Sequence, residues 1–213
     1  MRILVPSLLT LLLACGPAEP TPILEVKSVS GHVRYQQGNQ SLQADLLLPD
    51  STDRVPSFLG SAMEPIGQLP TDRFRHYATG DLPSVLRFGV DADGETTATF
   101  SFVSHPIYVD SLPDTLYRSE AVNFPVADRG LTEVESLVLF FEPTDRSTPK
   151  RILVTGPTAT GTVSLPTSAI DDIAPGEYEV YIVKQRLFKD QIRTVKASIQ
   201  TEFFTRSAPV TVQ

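Results

Sequence analysis

The chain has 213 residues, a formal net charge of -7, 41% apolar residues, 18 prolines against 12 glycines, one cysteine and no tryptophan. That length can bury a real core in one large or two small domains. The acidic balance removes the basic face that a nucleic-acid partner requires, and a lone cysteine excludes a disulfide framework and cysteine-based zinc or iron–sulfur sites.

Taken from the amino terminus, residues 1–14 read as a targeting segment. Arg2 supplies a positive charge, and Ile3 to Ala14 supply an apolar stretch interrupted by Pro6, Ser7 and Thr10. At about 1.5 Å per residue this stretch is too short for a hydrocarbon core of about 30 Å. It is therefore expected to be a cleaved export signal rather than a membrane span. Residues Gly16 to Pro22 carry three prolines, Pro17, Pro20 and Pro22, and read as a short, stiff tether.

The junction between the two, Leu12-Leu13-Ala14-Cys15, resembles the lipobox of bacterial lipoproteins. The resemblance implies that Cys15 carries a diacylglycerol, that the signal is cut before it, and that the new amine is acylated as well. Several acyl chains on one residue make physical sense, because a single chain gives only marginal membrane affinity. Gly16 stands where inner-membrane lipoproteins of many Gram-negative bacteria carry aspartate, so the resemblance implies the outer membrane. Acylation of Cys15 would also leave the mature chain without a free thiol.

Beyond Pro22 no stretch of ten residues follows a helical period. Alternation with period two, bounded by Gly, Pro, Asn and Asp, recurs instead. Strands are predicted over Ile23–Ser30, Val33–Gln36, Leu42–Leu46, Phe58–Met63, Arg73–Ala78, Ser84–Val90 and Thr96–Val103, with hairpin turns at Gln37-Gly38-Asn39-Gln40 and Asp91-Ala92-Asp93-Gly94. A second set covers Ile107–Asp110, Glu120–Phe124, Glu135–Glu142, Arg151–Thr155, Thr162–Leu165, Glu177–Leu187 and Ile192–Thr205. The unbroken apolar run Leu137 to Phe141 is expected to be a central strand covered on both faces.

Between Thr162 and Val183 a strand ends at Pro166, a helical turn occupies Thr167–Ile173, and Ala174-Pro175-Gly176 leads into a strongly alternating strand. This segment resembles the E–F corner of immunoglobulin-like and fibronectin-III-like sandwiches. Tyr178 would then be the corner tyrosine, its hydroxyl bonded to upstream backbone. The implied fold is all-β: two tandem immunoglobulin-like β-sandwich domains, residues 23–105 and 106–213, after the signal peptide (1–14) and a lipidated tether (15–22). The boundary is set at His105-Pro106, since proline biases the preceding residue to extended geometry. One large sandwich of about fourteen strands is the competing arrangement.

The catalytic inventory is sparse. His32, His76 and His105 are not at metal-ligand spacing. Asp91-Ala92-Asp93-Gly94-Glu95 alternates carboxylates but lacks the rest of a calcium loop, and Asp-Gly at a hairpin tip explains it. Ser147-Thr148-Pro149-Lys150 spells SxxK without a helix to carry it. Gly156 to Thr162 has P-loop glycine spacing but no lysine, and reads as a hairpin loop. The paired carboxylates Asp171 and Asp172 sit on a solvated corner. The basic residues Lys184, Arg186, Lys189, Arg193 and Lys196 read as one charged face over two neighbouring strands. No catalytic residue, metal ligand or cofactor is assigned, and Cys15 is the single site residue.

The expectation is a non-enzymatic envelope lipoprotein, anchored through Cys15, that displays β-sandwich modules to a protein or glycan partner or serves as an accessory subunit of an envelope complex. Binding is expected in loops such as Val55–Leu69 or on exposed edge strands, with the long segment Pro49–Pro70, carrying Pro56 and Pro65, as the preferred candidate. A glycan-directed hydrolase with carboxylates assembled by the fold, and a purely structural spacer, are the alternatives.

Overall fold

The computed structural model describes residues 26–91, 97–145 and 147–213. The signal segment, Cys15, the tether, the loop residues Ala92 to Thr96 and Arg146 lie outside the described residues. Within the first half, the strands are β1 (Lys27–Gln36), β2 (Ser41–Thr52), β3 (Ser57–Phe58), β4 (Ser61–Ala62), β5 (Glu64–Pro65), β6 (Thr71–Thr79), β7 (Val85–Asp91) and β8 (Thr97–Val103). The second half contributes β9 (Thr115–Leu116), β10 (Val122–Pro125), β11 (Glu135–Pro143), β12 (Lys150–Thr155), β13 (Thr162–Leu165), the short helix α1 (Thr167–Asp171), β14 (Gly176–Ile192), β15 (Val195–Phe204) and β16 (Ala208–Val212).

The all-β, immunoglobulin-like sandwich class expected from the sequence is the class observed. Three sheets build it: a ten-stranded sheet in the order β12-β11-β14-β15-β1-β2-β6-β5, with β16 pairing β14 and β9 pairing β16; a four-stranded sheet β4-β3-β7-β8; and a two-stranded sheet β10-β13. The four-stranded sheet covers the β1-β2-β6 end of the large sheet, with Phe58, Phe74, Phe88 and Phe100 fully buried between them. The two-stranded sheet and α1 cover the other end, where Phe124, Leu137, Leu139, Phe141, Leu165 and Ile170 are buried. Two sandwich lobes thus stand on one sheet.

The sheet runs across the residue-105/106 boundary. β1 pairs parallel with β15 over ten residues, from Lys27↔Val195 to Gln36↔Phe204. β14, seventeen residues long, pairs with β11 from Tyr178 to Arg186 and with β15 from Val183 to Ile192, so one strand belongs to both lobes. Period-two patterning explains why these segments are strands: Val33, Tyr35, Leu42, Ala44 and Leu46 all fall on the buried face of β1 and β2, as half-buried strands require. Gly31 interrupts that row because a Cβ there would lie 3.1 Å from Ile199 Cγ1 on the neighbouring strand.

Several expectations need correction. Leu137–Phe141 is next to the edge strand and alternates, with Leu137, Leu139 and Phe141 buried and Val138 and Phe140 half-exposed; only one of its faces is covered. Ile107–Asp110 is not a strand, although Ile107 and Val109 are buried in the core. The long segment Pro49–Pro70 is not one loop, since β2 continues to Thr52 and the two-residue strands β3, β4 and β5 punctuate the rest. The terminal strand β16 was not predicted.

Two details of the lower lobe matter. The Tyr178 hydroxyl donates to the Ala174 carbonyl at 2.8 Å, which is the corner geometry. The glycines at 156 and 161 are needed for a different reason than phosphate binding: segment 156–161 lies against 126–135, with Gly156 N donating to Glu135 O and Val126 N to Gly161 O. A Cβ at Gly156 would sit 2.0 Å from the Thr132 carbonyl oxygen, and one at Gly161 1.9 Å from that of Ala127. Gly161→Ala should therefore lower the midpoint of urea unfolding far more than Tyr178→Phe, which removes one hydrogen bond at a cost of about 1 kcal/mol. Equal midpoints for the two variants would contradict the close approach.

Candidate functional site

The segment joining the lobes is held by charge. Lys184 and Arg186 occupy inward-facing positions of β14, continuing the row Tyr178, Val180, Ile182. The Lys184 Nζ donates to the His105 carbonyl at 3.2 Å, and the Arg186 Nη1 donates to the Val103 carbonyl at 2.9 Å. The basic residues expected to form one face therefore divide. Lys184 is 5% exposed and Arg186 half-buried, whereas Lys189 and Lys196 are exposed.

The cation at Lys184 is matched by Glu135, itself 3% exposed at the start of β11. Glu135 Oε1 receives Lys184 Nζ at 3.0 Å and Arg129 Nη2 at 2.7 Å; Oε2 receives Arg129 Nη1 at 2.8 Å, Thr132 N at 2.9 Å and Thr132 Oγ1 at 3.1 Å. Burial alone would raise the Glu135 pKa, but these donors outweigh it and hold the carboxyl at about 2. Burial lowers the Lys184 pKa against the opposing pull of Glu135. A cavity of about 40 Å³ adjoins the cluster, bounded by Tyr35, Leu86, Phe102 and His105, with room for a few waters. A carboxylate saturated by five donors, with so low a pKa, is not a general base near neutral pH. This cluster is a clamp between the linker and the shared strand.

The outward face of the ten-stranded sheet is different in kind, since among the described residues no sheet lies over it. Its register aligns Leu153, Val138, Val183 and Phe204 in one row across β12, β11, β14 and β15. In the adjacent row the rings of Phe140 and Tyr181 stack at 4.8 Å and 6°, and the Arg151 guanidinium lies 4.9 Å above Phe140. Further along, Glu202 receives Arg34 at 3.1 Å and Gln185 at 3.1 Å and stands 3.1 Å from His32, while Arg34 covers the Phe204 ring at 5.4 Å. On β6, Tyr77 is 61% exposed beside Arg75, which pairs with Asp45. One exposed and several half-exposed aromatics interleaved with arginine are the composition of a contact surface. This face is the candidate binding site.

Of the residues weighed from sequence, His32 lies on that face, His76 is half-buried against Phe58 at 5.5 Å, and His105 sits by the clamp, its pKa lowered by desolvation and by Arg129 and Lys184. Asp171 and Asp172 are exposed and paired with Arg118 and Lys150. Among the described residues no group of three or more His, Cys, Asp or Glu is placed to hold a metal ion, and no helix is long and apolar enough to cross a membrane. Glu135 and Arg129 escaped the sequence reading. The available signal was Glu135 at a core position of an alternating strand, opening the row Glu135, Leu137, Leu139, Phe141.

No protein family matches the sequence, and no curated protein does. Among solved structures, the chain is similar to the FN1–FN3 domains of chicken CNTN1 at 11% identity and a TM-score of 0.27, over 88% of this chain and 66% of that one. So low a score does not describe a shared fold, and the architecture rests on the sheet order and the corner given above.

Because the folded Glu135 pKa lies below its unfolded value of 4.5, its stabilisation is complete above about pH 4.5 and is lost as pH falls toward 2, on the order of 3 kcal/mol in all. Glu135→Gln should destabilise the protein at pH 7 by about 3 kcal/mol, because it leaves Lys184 buried without its partner, and should flatten the acid limb of stability against pH. Urea unfolding from pH 3 to 7 measures both.

Proposed function

We propose that this protein is a lipid-anchored component of a bacterial envelope whose two-lobed body is a non-enzymatic binding module for a protein or glycan partner. The observation that carries the reading is the uncovered aromatic–arginine face of the ten-stranded sheet, at Arg151, Phe140, Tyr181, Phe204, Arg34 and Tyr77. A continuous sheet gives such a face a fixed geometry, and affinity rises when a surface needs no ordering on contact. Lys27 begins β1 within that sheet, so a chain anchored at Cys15 would present the body after a tether of about a dozen residues, at most about 40 Å when extended. The acidic net charge favours anchoring by lipid over attraction to anionic headgroups. The resemblance at Leu12 to Cys15 supports the anchor, and Gly16 in place of aspartate after the cysteine supports the outer membrane as destination.

Cell fractionation and in-cell crosslinking test the reading together. Cys15→Ala should move the protein from the membrane to the soluble fraction. Tyr77→Ala with Arg34→Ala should lose a crosslinked partner or glycan by at least about tenfold, as expected when interface anchors are truncated, while the urea midpoint changes little. Membrane retention of Cys15→Ala would refute the anchor, and an undiminished partner yield from the double variant would refute the face.

A further inference from the structure

β12 is an edge of the ten-stranded sheet, with β11 as its one neighbour. It has six residues, Lys150-Arg151-Ile152-Leu153-Val154-Thr155, with no proline or bulge to blunt it, and Leu153 is 62% exposed. Other edges are guarded. β5 is two residues long and ends in Pro65, and the β8 carbonyl of Val103 is taken by Arg186. Lys150 and Arg151 put charge at one end of β12, but the stretch Ile152 to Val154 carries none, and soluble proteins seldom leave an unpaired apolar stretch of edge without a use or a device against pairing.

The register says which groups this edge offers. Ser136 faces Thr155, and Gly156 N donates to Glu135 O, so Ser136 and Thr155 form a non-hydrogen-bonded pair. By the alternation of an antiparallel ladder, Lys150, Ile152 and Val154 bond toward β11, and the N–H and C=O groups of Arg151, Leu153 and Thr155 point to the free edge. Ile152 and Val154 lie half-buried on the core side, so a further strand would complete their burial.

We propose that this edge pairs antiparallel with β12 of a second copy, about a two-fold axis normal to the sheet at Leu153. That axis keeps core side facing core side, so partners must have the same parity. Leu153 then meets Leu153 of the second copy, Ile152 meets Val154, and Arg151 meets Thr155. All three outward-pointing residues fall at hydrogen-bonded positions, and Lys150 falls opposite Gly156. No like charges stand directly opposite, and every apolar residue meets an apolar one. The contact is isologous and closed, so it yields a dimer and leaves no new edge.

The full chain in detergent, followed by sedimentation over a concentration series, should pass from monomer to dimer. Leu153→Lys places two ammonium groups on the axis and should weaken the dimer at least about tenfold; its side chain is solvent-exposed, so the fold should survive, as a urea midpoint verifies. In a Cys15→Ser background, Leu153→Cys should form an intermolecular disulfide, because hydrogen-bonded pairs have Cα atoms about 5.5 Å apart. Thr155→Cys alone should not, its two copies being about 13 Å apart along the strand, whereas mixing Arg151→Cys with Thr155→Cys should restore the crosslink. A wild-type monomer at every concentration overturns the proposal, as does a dimer indifferent to Leu153→Lys. Capture of a different protein's strand by the Leu153→Cys thiol, with no self-crosslink, also overturns it and reassigns the edge to that partner.

Discussion

Everything in this molecule hangs on β14. Its first half is a central strand of the lower lobe, flanked by β11 and by β16, and its second half joins β15 and through it β1. A strand this long, seventeen residues, carries no hinge between lobes, because flexing it would break ladder hydrogen bonds on both sides. The linker at Val103 to His105 adds to that stiffness, being bonded by Arg186 and Lys184 of the same strand. The buried pair Glu135–Lys184 follows from this arrangement. The linker's carbonyls need donors where they cross the inner face of β14, Lys184 and Arg186 supply them, and a buried cation requires a carboxylate with its remaining lone pairs filled.

This also explains why the two faces of the large sheet differ so much. The inward face is divided between two covering layers, and the region between them is occupied by the charged clamp. Among the described residues no sheet covers the outward face, and its aromatic rings are shielded by arginines and by one another. Such pairing keeps an exposed apolar row soluble and leaves it available for contact.

Much of this was legible in the sequence. Alternation located nearly every long strand, and Pro175-Gly176 with Tyr178 fixed the corner, because those signals are local. What was not legible is the partnership of β1 with β15, residues 168 positions apart. Nothing in the residues near Lys27 or Val195 states which strand lies beside them, and nothing near Pro106 announces that one sheet runs across that position. The basic run failed as a single face for a simpler reason: Lys184 and Arg186 share a parity with Val180 and Ile182, so they point inward, while Lys189 has the opposite parity. Parity also marks Glu135, and a charged residue in an apolar row is the sign of a buried ion pair. The segment Gly156 to Thr162, expected as a hairpin loop, instead joins β12 and β13 of different sheets, and the steric need for its glycines lies in a strap against residues 126–135 that only the tertiary structure reveals.

The parallel pairing of β1 has a mechanical meaning. Tension on the amino-terminal end of the chain enters the body at Lys27 and runs along the length of β1, which is bonded to β15 on one side and β2 on the other. Both ladders are then loaded in shear, so their hydrogen bonds share the force and must yield together rather than one after another. A body held at that end resists extraction best in the direction from which a tether would pull.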